Sequence, residues 1–154
     1  MIQKAVIHLL VQRVILSGCI FLIVAFVSCK TTMRTTPSIS TASLTNTYWK
    51  LSMIKSEHVK TPENSREVHI KFVESGKRFL GFAGCNALGG NFALTGSNGI
   101  KIDPISTKMF CDRMETENFL TEALTRANRY LVEGEKLFLF DGKKLLVSFD
   151  SVYF

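Results

Sequence analysis

Glu67-Val68-His69-Ile70-Lys71-Phe72, then Glu74-Ser75-Gly76-Lys77, then Arg78-Phe79-Leu80-Gly81-Phe82-Ala83 is the stretch whose reading decides the fold. Val68, Ile70 and Phe72 alternate with Glu67, His69 and Lys71, the period of two that turns one set of side chains to a core and the other, His69 included, outward. The four residues between the runs carry turn chemistry, so the pair predicts a β-hairpin. Upstream, Trp49, Leu51 and Met53 alternate within Tyr48 to Ile54, which predicts another half-buried strand. Downstream, a strand at Asn91 to Thr95 leads through Gly96-Ser97-Asn98-Gly99 into Ile100 and Ile102, and Pro104 is expected to end it. Connections this short leave no room for crossovers, so the meander is antiparallel.

One segment changes period. Asp112 with Glu115 three residues on resembles a capping box, and Phe119, Leu120, Ala123, Leu124 and Ala127 share a helix face, with Asn128 able to end the helix. Tyr130 to Val132, Leu137 to Phe140 and Leu145 to Phe149 follow, separated by Glu133-Gly134-Glu135 and Asp141-Gly142, which suit tight hairpins. Leu137 to Phe140 is apolar on both faces and is expected to be central and covered. The fold class is therefore α+β: a strongly curled, mainly antiparallel sheet of about seven or eight strands, a partly open barrel, with one helix packed on it.

The start of the chain speaks to location. Lys4 and Arg13 precede the unbroken apolar run Val14 to Val27, which stops at Ser28-Cys29. A run of fourteen residues falls short of the ~20 that a spanning helix needs and matches a signal core, although tolerance of Arg13 would let a longer anchor form. Phe26-Val27-Ser28-Cys29 is similar to a bacterial lipobox. Leu16-Ser17-Gly18-Cys19 matches that motif more closely, but cleavage there would leave Ile20 to Val27 as an exposed apolar tail. The expected organisation is a lipoprotein signal peptide at 1–28, a lipidated Cys29 with a tether to 45, and one domain at 46–154. Nine of the sixteen residues from Lys30 to Thr45 are Thr or Ser, so this stretch buries too little to fold. As a flexible coil it spans roughly 20 to 24 Å.

Charge narrows the partners. The net charge of +6 includes Lys4 and Arg13, so the chain from Cys29 onward carries +4. Its lysines are scattered, which with export argues against nucleic acid as a partner. With Cys19 removed and Cys29 acylated, Cys85 and Cys111 are the two remaining thiols in an oxidising compartment and are expected to form a disulfide. The loop is 27 residues, both cysteines included, for which chain entropy gives on the order of 3.5 kcal/mol. A redox pair would normally be spaced Cys-x-x-Cys, and a zinc site would need ligands nearer than His58 and His69. Gly-x-Ser-x-Gly and His-Glu-x-x-His are absent, so no catalytic residue, metal or cofactor is expected. Gly81, Gly84, Gly89 and Gly90 read as bends or bulges, with Asn86 tolerant of a left-handed turn. Phe72, Phe79, Phe82 and Phe92 read as core.

Gly84-Cys85-Asn86, Gly90-x-Phe92, Ser106-Thr107-x-Met109-x-Cys111 and Glu117-x-Phe119 with Leu124 together resemble the META domain of bacterial HslJ-type heat-shock proteins. The likeness runs over about residues 46 to 150, and Trp49-x-Leu51 and Leu137-x-Leu139 fit it; Phe110 stands where a small residue is usual. The resemblance implies a small α+β domain, often exported or lipid-anchored, with its two cysteines paired and with links to envelope stress. It supplies no catalytic residues. The expectation is a non-catalytic, monomeric, membrane-anchored lipoprotein of the bacterial cell envelope, facing the periplasm or the surface. Gly84, Asn86, Gly89, Gly90, Thr107 and Met109 form its candidate binding loops, for another envelope protein or a small apolar ligand. A lipid carrier resembling secretion-system pilot lipoproteins is a second reading, and a thiol-redox enzyme a third.

Overall fold

A computed structural model describes residues 41–154; the expected signal peptide, Cys29 and the segment to residue 40 lie outside the described residues. The elements are β1 (Tyr48–Ile54), β2 (Glu57–His58), β3 (His69–Val73), β4 (Arg78–Phe82), β5 (Ala87–Thr95), β6 (Gly99–Ser106), helix α1 (Met114–Arg126), β7 (Arg129–Glu133), β8 (Lys136–Asp141) and β9 (Lys144–Val152). They make an α+β fold: one nine-stranded antiparallel sheet in the order β2-β1-β3-β4-β5-β6-β7-β8-β9, in which β1 also pairs with β9 and so curls the sheet into a ring. The count exceeds the expected seven or eight because Glu57–His58 adds a two-residue strand on β1.

Closure of the ring is uneven. β1 and β9 pair from Tyr48↔Val152 to Ile54↔Val147, whereas β6 and β7 meet only at Gly99↔Arg129. Helix α1 connects those two strands and packs on β6, β8 and β9 with Leu120, Ala123 and Leu124 buried. Apolar contact thus replaces ladder bonds along the sparse seam. Inside, Trp49, Phe72, Phe79 and Phe149 are fully buried among Ile70, Ile102, Leu137, Leu139 and Val147. Phe92 meets Phe72 edge-on, 5.0 Å between centroids, as aromatic quadrupoles prefer.

Several local expectations are corrected. The fold begins before residue 46: the Ala42 N–H donates to the Gly134 carbonyl at 2.8 Å, Leu44 is in the core, and the Trp49 indole N–H donates to the Leu44 carbonyl at 2.9 Å. Leu44 is the apolar residue that the Thr/Ser composition masked. β5 begins at Ala87 rather than Asn91, so Gly89 and Gly90 are strand residues and not bends. β6 runs through Pro104, opposite Gly90, to Ser106. Past Gly99 the other side of β6 has no strand partner, so the missing N–H costs no ladder bond there.

His69, expected on a polar outer face, is only 5% exposed, because Tyr48 stacks over it at 4.4 Å. Phe82 is not core: it faces outward, half-buried, with the Arg66 guanidinium 4.7 Å from its centroid. Phe119 likewise is half-buried, with the Lys55 ammonium 4.4 Å from its ring. β8 is flanked by β7 and β9 as expected of a central strand, but its outer face is covered only in part, by Phe138, Phe140 and the Arg129 guanidinium 3.9 Å from the Phe140 ring. Asp112 does not cap α1. The N-cap is Arg113 without a side-chain bond, the Met114 N–H reaches the Cys111 carbonyl, and Glu115 and Glu117 supply negative charge to the first turn.

Candidate functional site: a disulfide-braced loop

Two segments distant in sequence converge at the start of α1. The turn after β4 carries Gly84, Cys85 and Asn86, and the segment after β6 carries Thr107, Met109, Phe110 and Cys111. The Cys85–Cys111 disulfide joins them, bringing residues 26 apart in sequence to a Cα separation of 5.8 Å. Gly84 lies at φ +122°, and the Arg113 side chain stands 3.5 Å from where its Cβ would be. That left-handed backbone beside a packed side chain favours glycine.

Asn86 is the centre of the arrangement. Its side-chain amide donates to the Met109 carbonyl at 2.9 Å and to Glu117 Oε1 at 2.8 Å. Its side-chain oxygen accepts from the Thr107 hydroxyl at 2.8 Å and the Met109 N–H at 2.7 Å. Its backbone N–H donates to Glu117 Oε2 at 2.8 Å. An asparagine side chain offers two donors and two acceptor lone pairs, and all four are used. Both oxygens of Glu117, a residue only 3% exposed, are spent on Asn86. A buried polar cluster with every member bonded is rigid; a partly bonded one would be costly.

The loop is therefore held by the disulfide, by Asn86 and by the Thr107 N–H, which donates to the Ala87 carbonyl at 3.2 Å. Its apolar side chains nonetheless point to solvent: Met109 is 62% exposed and Phe110 91%. Of the candidate residues, Cys85, Asn86, Thr107, Met109 and Cys111 come together with Gly84 beside them, whereas Gly89 and Gly90 lie along β5. Gly90 serves the sheet. At φ +145° its Cβ would stand 2.1 Å from the Asp103 carbonyl of β6, so only glycine permits that approach.

Glu117 belongs to the motif that carries the resemblance but is not among the candidate site residues. A second signal is its position: it shares a helix face with Leu120 and Leu124, and a carboxylate in an apolar stripe requires a buried partner.

The Asn86 side chain is saturated by Thr107, Met109 and Glu117, an arrangement that shapes a loop. Among the described residues no group of three or more His, Cys, Asp or Glu could hold a metal ion, and no helix is long and apolar enough to cross a membrane. His69 donates through Nδ1–H to the Glu67 carbonyl at 3.0 Å. Burial lowers its pKa below the ordinary histidine value, and burial likewise raises that of Tyr48. His58 is exposed on β2.

The META domain family model matches residues 42–152, and no curated protein matches the chain. A protein from Burkholderia xenovorans solved by NMR superposes with a TM-score of 0.58 at 22% identity, covering 72% of this chain and 85% of that one. A second NMR structure gives 0.54 at 20% identity, covering 68% and 87%. A DUF4847 family protein from Bacteroides vulgatus gives 0.48 at 18% identity, covering 67% and 90%. The two NMR structures share the fold, and the family model spans the whole curled sheet, both cysteines and the Asn86–Glu117 cluster: the chain belongs to the META domain family.

Proposed function

We propose that this META domain protein is a non-catalytic docking module of the bacterial cell envelope, supporting a partner protein under stress. In this reading residues 1–28 are removed, Cys29 is acylated, and the domain is held at a membrane. The observation that carries the docking role is Phe110, 91% exposed on a loop fixed by a disulfide and by Asn86. A solvent-facing aromatic on a flexible loop would be unremarked, but one held rigid is preorganised for contact.

Carriage of an acyl chain has less support. The ring is filled by Trp49, Phe72, Phe79 and Phe149, and the grooves beside α1, of 240 and 210 Å³, are below the roughly 300–1,000 Å³ of small-molecule sites. A redox role is disfavoured by the burial of Cys85.

Crosslinking in membranes of the native host, followed by purification of the full chain, tests the reading. One discrete protein partner, lost with Met109→Asp/Phe110→Asp, is the expected result, together with release of Cys29→Ala to the soluble fraction. Repeated recovery of no partner, or an uncleaved residue 1 in the intact mass, contradicts it.

A further inference from the structure

The outer face of β3 to β6 carries two exposed aliphatic side chains, Leu80 and Ile105, in one row across the strands. Register places Lys71 beside Leu80, Leu80 beside Gly89, and Gly89 beside Ile105. Leu80 is 51% exposed and Ile105 70%. The two flank Gly89 at two strand spacings, about 10 Å apart. Gly89 has no left-handed φ, and the only atom a Cβ there would meet within 4 Å is the Phe79 carbonyl oxygen, at 3.3 Å. What the glycine leaves is a trough between two exposed aliphatic side chains.

Lys71 lies at one end of this row and Arg78 in the next, and among the described residues neither is in an ion pair. The one acid of these two rows, Asp103, is already bridged to Lys101 at 3.3 Å. The row continues along β6 into the Thr107–Phe110 loop.

We infer that this trough seats an acidic segment of a partner protein, with one large apolar side chain over Gly89 and carboxylates on Lys71 and Arg78. The inference rests on the docking reading above and gives its partner a chemistry. Apolar contact supplies affinity and the cations supply register and selection for acid. A second copy of this chain is a poor occupant, because the net charge of +4 from Cys29 onward opposes a basic face.

The test selects binders of the folded full chain from a displayed random dodecapeptide library. Recovered peptides should carry Asp or Glu around a Leu, Ile, Phe or Trp. Their affinity should fall at least tenfold with Leu80→Glu or Ile105→Glu, both exposed positions, and with Lys71→Glu/Arg78→Glu. Replacing the peptide acids by Lys should restore binding to that last variant. Peptides without acids, or acidic peptides indifferent to all of these substitutions, overturn the inference. Vesicles of phosphatidylglycerol bound through Ile105 with no peptide recovered overturn it in favour of a lipid surface. If peptides or the crosslinked partner depend on Phe110 but not on Leu80 and Ile105, the docking reading stands and this inference fails; if they depend on neither, both fail.

Discussion

Replacing Asn86 by Ala removes four side-chain hydrogen bonds at once while leaving the disulfide and the apolar core in place. The losses are unequal. Thr107 and Met109 are exposed residues, so their freed groups can turn to water, at about 0.5–1.5 kcal/mol for each bond. Glu117 is 3% exposed and cannot. Its carboxylate keeps only the Asn86 backbone N–H, and a buried charged acceptor left short of a partner costs at least ~1–3 kcal/mol. The total comes to about 2.5–7.5 kcal/mol, a large part of the ~5–15 kcal/mol available to a domain. At roughly 4 °C per kcal/mol, Tm should drop by at least about 10 °C.

Denaturant titration of the full chain reads this cleanly, because the chain has one tryptophan, Trp49, and it is buried in the ring. Thr107→Val, which removes one of the four bonds, should cost about 1 kcal/mol. A loss below about 1 kcal/mol for Asn86→Ala would refute the claim that this side chain holds the loop.

Reduction of Cys85–Cys111 should lower stability by about 3–4 kcal/mol without unfolding the domain, since the Asn86 bonds and the core remain; far-UV circular dichroism with and without reductant checks this. Gly90→Ala should cost more than ~2 kcal/mol, because its Cβ would lie 2.1 Å from the Asp103 carbonyl, whereas Gly142→Ala, at φ +59° with nothing within 4 Å, should cost only about 1–2 kcal/mol, the left-handed backbone alone. Paired melts decide between them. The folded-state pKa of His69 is lowered, chiefly by burial. The unfolded chain therefore binds a proton first as pH falls, so this histidine's contribution is present above the ordinary value near 6.5 and is lost as pH drops through the folded value. Denaturation midpoints should fall between pH 7.5 and 5, and the slope should shrink in His69→Gln.

The sheet is legible because its strands obey period two and its turns carry their own chemistry: alternation alone puts Trp49, Leu51, Ile70 and Phe72 on the core side, where they are buried. Ring closure was foreseen only as curling, since pairing of β1 with β9 joins residues a hundred apart that no local pattern links. Boundaries failed where a residue's usual role was overridden by its neighbours. Pro104 stays in strand because that edge of β6 is open, and Leu44 folds because the Trp49 indole reaches its carbonyl. At the site, the cysteine pair is legible from compartment arithmetic, whereas Asn86, singled out for a left-handed backbone, does not adopt one and acts through its side chain. Its bonding to Glu117 was invisible because it depends on where α1 begins, and the expected Asp112 cap misplaced that start by suggesting a side-chain lock that Arg113 does not make.

In the proposed docking role, a rigid loop presents Phe110 to a partner. A photo-crosslinking amino acid placed at 110 in the full chain, and as a control at exposed Lys143 beyond the β8 end, measures it directly in native-host membranes. One discrete adduct is expected from position 110, weakened when Asn86→Ala loosens the loop, and none from 143. Equal adducts from both positions, or an adduct at 110 unchanged by Asn86→Ala, would contradict it.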